Sequence, residues 1–152
     1  MDVDVLRNDK PQLCGEACMA HSCDILLGAN SIVSAKVGNQ VRIANLLEWC
    51  FPSIQKACKR VDSLVFGSRK TGVRVIKLIH GHDSTGVGEQ LKLALRAHLW
   101  RQERIGEIRG FIPGERWSQF DQQSRELLKY VPELIVDSDF CRTNKGMTLI
   151  VL

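Results

Sequence analysis

The sequence predicts an α/β domain with a mixed four-stranded sheet, in the order βαβαβ(α)β. Two apolar runs, 41–47 and 73–79, have the length of strands, and the second, rich in β-branched residues, suits a strand that is buried on both faces as in a parallel sheet. A helical apolar pattern follows each run, which predicts that the first two strands are parallel. A last apolar run, 147–152, follows an asparagine-lysine-glycine turn at 144–146.

The first helix is predicted to begin after Pro52, with Ser53 as its N-cap, and to end among the glycines at 67 and 72. Its inward positions recur at the spacing of an amphipathic helix and are Ile54, Ala57, Cys58, Val61, Leu64 and Val65. Its opposite face carries the cations Lys56, Lys59 and Arg60. The helix is therefore the crossover of a right-handed βαβ unit.

The loop after the second strand is the central feature of the chain. Its glycines allow the backbone to bend and to approach a partner closely, and Ser84 or Thr85 is the candidate N-cap of the next helix. Free backbone N–H groups, the positive end of a helix dipole and two cations meet there, which predicts an anion site. The glycine-lysine-serine/threonine ending of a P-loop is absent. The residues predicted to bind phosphate or nucleic acid are Gly81, Ser84, Thr85, Gly86, Gly88, Lys92 and Arg96.

The segment before the last strand is predicted to be an acidic helical insertion at about 113–143. The third strand is expected at 108–112, where a proline-glycine turn ends it. A helix is expected at 118–130, and its inward residues are Phe120, Ser124, Leu127, Leu128 and Val131. Trp117 and Phe120 lie near helical spacing, so both are predicted to be core residues rather than a platform for stacking bases.

Length and composition limit the class of protein. A chain of 152 residues with 44% hydrophobic and 25% charged residues fits one soluble domain, here 41–152, preceded by a poorly defined arm at 1–40. No stretch has the length and apolar character of a membrane span, so no membrane partner is expected. The first residues are acidic and unlike a secretory signal, which predicts the cytoplasm and reduced thiols.

The arm contains four potential metal ligands, Cys14, Cys18, His21 and Cys23. Structural zinc sites usually combine two close pairs of ligands that are separated by a longer span. The spacing C-x3-C-x2-H-x-C is too compact for that arrangement, so no metal site is predicted and the cysteines are expected to be incidental.

The net charge of +4 is unevenly distributed. Residues 53–110 contain 12 Lys and Arg against 5 Asp and Glu, or +7, whereas 1–52 carry −2, 111–140 carry −3 and 141–152 carry +2. The surplus lies on the two helices and the strand that flank the glycine loop, as a footprint for a phosphate backbone would. A solvated helix face rich in lysine and arginine explains the same charges equally well.

The loop resembles the second motif of the Smr domain, the small MutS-related domain of nucleic-acid nicking proteins. That motif is histidine-glycine-x-glycine at the end of a strand, and here the stretch 80–83 reads histidine-glycine-histidine-aspartate, with Asp83 at the position of the last glycine. The family's first motif, leucine-aspartate-x-histidine-glycine, corresponds to 47–51. Glu48 keeps the carboxylate there, whereas Cys50 and Phe51 replace the histidine and the glycine.

The resemblance implies a two-layer α/β sandwich similar to the C-terminal domain of bacterial translation initiation factor three. Relative to that fold, the helical insertion before the last strand is an addition. The resemblance also implies a partner, DNA or RNA, and an activity, the cleavage of phosphodiesters.

The candidate catalytic residues are His80, Glu48 and His82. Because the carboxyl ends of parallel strands meet at one edge of a sheet, Glu48 and His80 are expected to be neighbours beside the glycine loop. A carboxylate next to an imidazole is a general acid/base pair and would raise the pKa of His80. His82 is the rival for this role. An alternative of equal weight is that His80 is hydrogen-bonded and only orients the loop.

Three functions stay open at the level of sequence. The first is an endonuclease in which His80 moves the proton, and a divalent metal such as magnesium is compatible with it. The second is a non-catalytic DNA- or RNA-binding module. The third is a small-molecule phosphate binder or a structural adaptor. No cofactor is assigned from the sequence, and the oligomeric state is not specified by it.

Overall fold

The computed structural model describes residues 36–37, 40–49, 53–82 and 86–152. The cysteines and the histidine of the N-terminal arm, Cys14, Cys18, His21 and Cys23, lie outside the described residues. Ser84 and Thr85 of the glycine loop lie outside them as well.

Within the described residues, one mixed sheet contains five strands. The strands are β1 (Lys36–Val37), β2 (Val41–Asn45), β3 (Val75–Ile79), β4 (Gly110–Pro113) and β5 (Met147–Val151). They lie in the order β1-β2-β3-β5-β4. Strands β2 and β3 are parallel, and β5 is antiparallel to both β3 and β4. The four predicted strands are thus confirmed, and the two-residue β1 adds an antiparallel neighbour to β2.

The helices of the described residues are α1 (Ile54–Lys70), α2 (Val87–Arg104) and α3 (Gln122–Tyr130), with short 3-10 turns at Leu47–Trp49 and Pro132–Val136. Ser53 caps α1 as predicted, since its side chain accepts a hydrogen bond from the backbone N–H of Lys56 at 3.4 Å. Gly67 does not end this helix, which continues to Lys70. The chain turns only at Gly72, where φ is +74° and a residue without a Cβ is favoured.

Helices α1 and α2 lie side by side on one face of the sheet, and we call them the helix layer. Their inward side chains pack against residues of the central strands that alternate along each strand: Ala44, Ile76, Leu78 and Ile150. The two helices meet at Asp62, whose Oδ1 is 2.7 Å from His98 Nε2 and also accepts a hydrogen bond from Gln102. Both crossovers therefore place their helix on the same side, as two right-handed connections running in one direction must.

The insertion between β4 and β5 covers the opposite face of the sheet, which we call the insertion face. Its buried residues Trp117, Leu127 and Leu134 form one cluster with Val75 and Leu149 of the sheet. The domain consequently has a third layer, which the predicted two-layer sandwich lacks. The physical reason is that the central strands are apolar on both sides, so both faces need cover.

The insertion helix begins later than predicted, and this displaces one aromatic residue. Asp121 caps α3, because its side chain accepts a hydrogen bond from the backbone N–H of Ser124 at 3.0 Å. Phe120 therefore precedes the helix, is 82% exposed, and was wrongly predicted to be a core residue. Trp117 is fully buried as predicted and packs edge-on against Phe140, with ring centroids 5.0 Å apart.

A buried cation on the insertion face is neutralised by the insertion. Lys77, in the centre of β3, places its Nζ 2.6 Å from a carboxylate oxygen of Asp137 and 2.5 Å from one of Asp139. Burial alone would raise the pKa of Asp139, but the hydrogen bonds from Lys77 and Asn144 hold it below its usual value. This three-residue cluster ties the insertion to the middle of the sheet.

Candidate functional site

His80 follows β3 at the carboxyl edge of the sheet, as the sequence predicts, but it is part of the core. The backbone N–H groups of His80 and Gly81 both donate to the carbonyl of Gly146 at 2.9 Å, which extends the contact between β3 and the β5 turn. The side chain of His80 is only 1% exposed. Solvent and substrate therefore have almost no access to its ring.

Both ring nitrogens of His80 are occupied. Nδ1 lies 3.0 Å from the carbonyl oxygen of Gly81, which can only accept, so Nδ1 carries the proton. Nε2 lies 3.0 Å from Oγ1 of Thr148 and accepts from that hydroxyl. In its neutral form the imidazole is thus restricted to one tautomer by partners on both sides.

The pKa of His80 is lowered, not raised. Burial is the largest cause, and the positive charges of Arg96 and Lys92 lower it further. The expected effect of Glu48 on this pKa was therefore wrong. Glu48 lies in the 3-10 turn after β2, where it is exposed and accepts a hydrogen bond from Asn45 Nδ2 at 3.4 Å.

Glycine is favoured at positions 81 and 86 of the loop for different structural reasons. Gly81 has a φ of +74°, and a Cβ there would lie 2.8 Å from a methyl group of Leu47. Gly86 has a φ of +89° and is the N-cap of α2, the place where Ser84 or Thr85 was expected, but a Cβ there would meet no atom within 4 Å. Gly86 thus supplies a backbone conformation, whereas Gly81 supplies both a conformation and close packing. Gly88 is buried in the first turn of α2.

The two cations predicted to hold a phosphate are present near His80, but each is paired with a carboxylate. Lys92, whose side chain is 7% exposed, places its Nζ 2.6 Å from Glu89 Oε2. Arg96 Nη2 contacts both carboxylate oxygens of Glu115 at 2.6 Å. The hydrogen bond from Lys92 lowers the pKa of Glu89, so this carboxylate is ionised at neutral pH. The charges of Lys92 and Arg96 are thus largely neutralised by carboxylates of the protein itself.

His82 is the accessible histidine of the loop. Its Nδ1 lies 3.5 Å from Glu89 Oε2, and its side chain is partly exposed. It lines an open depression of about 530 Å³ whose other residues are Ile79, Gly81, Thr143, Asn144, Lys145 and Gly146. His82 and Lys145 thus line one open surface that can accept an anion, whereas Glu89, the partner of His82, is not part of its lining.

The sequence reasoning placed Lys56 and Lys59 on the outer face of α1 but did not identify the other exposed cations of the two helices. Helices α1 and α2 together contain nine Lys and Arg against three Asp and Glu, which is +6. Six of these nine cations are exposed, namely Lys56, Lys59, Arg69, Lys70, Arg101 and Arg104. The only exposed acid on the two helices is Asp62, which bonds His98 and Gln102. The signal was available, because these positions lie opposite the apolar stripe of each helix.

Two further kinds of site, a cluster of metal ligands and a membrane-spanning helix, are absent from the described part of the chain. No group of three or more His, Cys, Asp or Glu is arranged there to hold a metal ion. None of the helices described is both long and apolar enough to cross a membrane.

Comparison with known proteins returned no match: neither a family model, nor a curated protein, nor a solved structure is significantly similar to this chain.

Proposed function

We propose that this chain is a non-catalytic nucleic-acid-binding module that contacts its ligand with the outer surface of the helix layer. The observation that carries this proposal is the set of six exposed cations on α1 and α2, of which Arg69 is paired with Glu107 at 3.1 Å, while the single exposed acid of these helices already has partners within the protein. A phosphate backbone is bound by such a surface because Lys and Arg displace its condensed counterions. The sequence-level interpretation of these charges as a footprint is thereby favoured over a plain solvated face.

Binding is favoured over cleavage by the state of His80. A general acid or base must reach the proton that it transfers, either directly or through one water molecule. His80 is buried, neutral, and bonded at both ring nitrogens, so it fits the alternative role of orienting the loop. Because both ring nitrogens of His80 already have partners, Glu48 cannot pair with this imidazole.

The resemblance to the Smr domain supports nucleic acid as the ligand. We include in the proposal both this resemblance and the likeness to the C-terminal domain of translation initiation factor three. Two features are compatible with them: the parallel pair β2 and β3 next to the antiparallel β5 and β4, and two helices on a single face. The third layer made by the insertion is an addition to that plan. A cytoplasmic setting is part of the same proposal.

The binding test uses the full chain and labelled DNA and RNA, each single-stranded and double-stranded, over a range of salt concentrations. We expect binding to all four with weak sequence preference, and an affinity that falls steeply as salt rises, because bound phosphates release counterions. Absence of binding to every one of them at about 0.05 M salt would contradict the proposal, since an electrostatic surface is strongest there.

Phosphodiester cleavage is the second candidate function, and the geometry of His82 is the observation that favours it. His82 is accessible, has Glu89 at 3.5 Å, and lines the open depression. In a cleavage assay with and without magnesium, His82→Ala should then reduce the rate by about 10²–10⁴-fold. A protein that binds but never cleaves excludes this candidate and leaves the binding module intact.

A further inference from the structure

Two exposed aromatic rings on the helix layer are each accompanied by a cation. Phe66 on α1 is 64% exposed, and Lys70 Nζ lies 4.1 Å from the centre of its ring. Trp100 on α2 is 59% exposed, and Arg104 Cζ lies 5.4 Å from the centre of its ring. The two pairs have the same spacing, with the cation four residues after the ring, and all four residues are exposed on the solvent side of their helix.

The two rings lie at similar heights along the helix layer. Helices α1 and α2 run in the same direction, because each connects strands that point the same way. The contact between Asp62 and His98 sets their register. Phe66 is four residues beyond Asp62, and Trp100 is two residues beyond His98, so at about 1.5 Å per residue the rings differ by about one helical half-turn in height. Trp100 lies about 200° around α2 from His98, so the two rings occupy separate positions on the outer surface.

We propose that Phe66 and Trp100 form a stacking platform for unpaired bases, which makes single-stranded nucleic acid the ligand class of this surface. This inference rests on the proposed function and specifies its ligand. An exposed aromatic ring gives a base a flat apolar partner, while the adjacent cations contact the phosphates on either side. In a duplex the bases are already stacked on each other, so the rings would add nothing to duplex binding.

Charge complementarity favours a nucleic acid over a protein as the occupant. The rings stand among the exposed cations Lys59, Lys70, Arg101 and Arg104. A second copy of this chain would bring the same positive surface against itself, and the repulsion would oppose association. An apolar protein partner would leave these cations without counter-charges.

The test compares a single strand of about 12 nucleotides with a duplex of equal charge, using the full chain and fluorescence anisotropy. Phe66→Ala and Trp100→Ala should each weaken binding to the single strand by about tenfold, and binding to the duplex should stay within about twofold. Trp100→Phe should retain single-strand affinity because it keeps a ring. Phe120→Ala, which removes an exposed ring from the insertion, is the matched control and should change neither.

The outcomes separate this inference from the proposed function. If the parent protein binds both ligands but the ring variants bind the single strand as tightly, or lose both ligands equally, the platform is wrong and the cationic surface stands. If the parent binds neither ligand, the proposed function fails and the platform fails with it. Sedimentation of the parent as a dimer that Trp100→Ala converts to a monomer would identify the rings as a protein interface instead and overturn the platform. Because both rings are exposed, the thermal transitions should stay close to that of the parent.

Discussion

The two faces of the sheet use charge in opposite ways. The two helices of the helix layer contain nine Lys and Arg but only three Asp and Glu, and six of the cations are exposed. On the insertion face, residues 111–140 carry −3, and two of the acids turn inward to the buried Lys77. The first arrangement leaves charge available to a partner. In the second, the charges of Asp137, Asp139 and Lys77 pair with each other and hold the insertion to the sheet.

The aromatic residues repeat this difference. Trp117 on the insertion face is buried and packs against Phe140, whereas Trp100 on the helix layer is exposed beside Arg104. A buried ring contributes to stability by leaving water, and an exposed ring contributes only when something covers it. We therefore expect substitutions on the insertion face to alter stability, and substitutions on the helix layer to alter binding.

The largest expected effect is that of Lys77→Met on stability. The substitution keeps most of the apolar stem but leaves the partly buried Asp137 and Asp139 without their cation. Breaking a buried pair in this way should lower the free energy of unfolding by about 3 kcal/mol, measured by urea denaturation. Lys59→Met on the exposed side of α1 is the control, and it should change stability by no more than about 0.5 kcal/mol. A loss at Lys77 as small as that of the control would mean that the cluster does not hold the insertion.

The second effect concerns binding. Replacing Lys59, Lys70, Arg101 and Arg104 with glutamine should weaken binding to a single strand by about 100-fold at about 0.1 M salt, because each lost phosphate contact reduces the slope of log affinity against log salt by about 0.7. The melting temperature should stay within a few degrees, since all four residues are exposed.

A matched control for this experiment lies on the other side of the molecule. Lys129 and Arg142 are exposed cations of the insertion, and their replacement with glutamine should leave affinity unchanged. The first set removes four charges and the control set removes two. An equal loss of affinity per charge removed would show that binding responds to net charge alone, and the difference between the faces would then have no functional meaning.

Much of the fold was predictable because its signals are local. Strands β2, β3 and β5 and the crossover helices follow from periodicity and from caps such as Ser53. The third layer was not predictable in the same way, since the partner Asp137 lies 60 residues from Lys77 along the chain. The apolar run 73–79 indicates that both faces of the sheet are covered, but it does not indicate which segment covers the second face.

The site was less predictable than the fold. The position of His80 at a strand end was correct, but its burial depends on Thr148, which is 68 residues away. The pairing of Lys92 with Glu89 was visible at a spacing of three residues, whereas the pairing of Arg96 with Glu115 depends on the turn after β4. The sequence therefore predicted that His80, Lys92 and Arg96 lie near each other, but it did not indicate that both cations are paired with carboxylates.

A smaller effect distinguishes the glycine loop from the outer surface as the place of binding. Gly86→Ala meets no atom, but φ is +89°, so we expect a loss of stability of about 1 kcal/mol. Gly67→Ala, within α1, should instead stabilise by about 0.5–1 kcal/mol, because alanine is the better helix former and the nearest atom to its Cβ is 3.9 Å away. If the outer surface binds the ligand, neither variant should change affinity. A clear loss of affinity in Gly86→Ala alone would return the binding site to the loop.

The smallest effect is the pH dependence of stability at His80, which tests whether this residue is structural. The unfolded chain should bind the proton with the usual pKa of about 6.5, whereas burial and the charges of Arg96 and Lys92 lower the pKa in the folded state. The neutral form is therefore the one that folding favours. Its contribution is complete above the unfolded pKa and is lost as the pH falls toward the folded pKa, because the unfolded state then binds more protons.

Urea denaturation between about pH 7 and pH 5.5 measures this contribution with little interference from carboxylates, whose usual pKa values lie lower. We expect the stability of the parent to fall over this range, and the fall to be smaller in His80→Gln, whose amide can still donate and accept but does not titrate. His82→Gln is the control for a partly exposed histidine of the same loop and should keep the slope of the parent. A slope that persists in His80→Gln would mean that His80 is not the buried neutral group described here, and would reopen its role as a proton carrier at the carboxyl edge of the sheet.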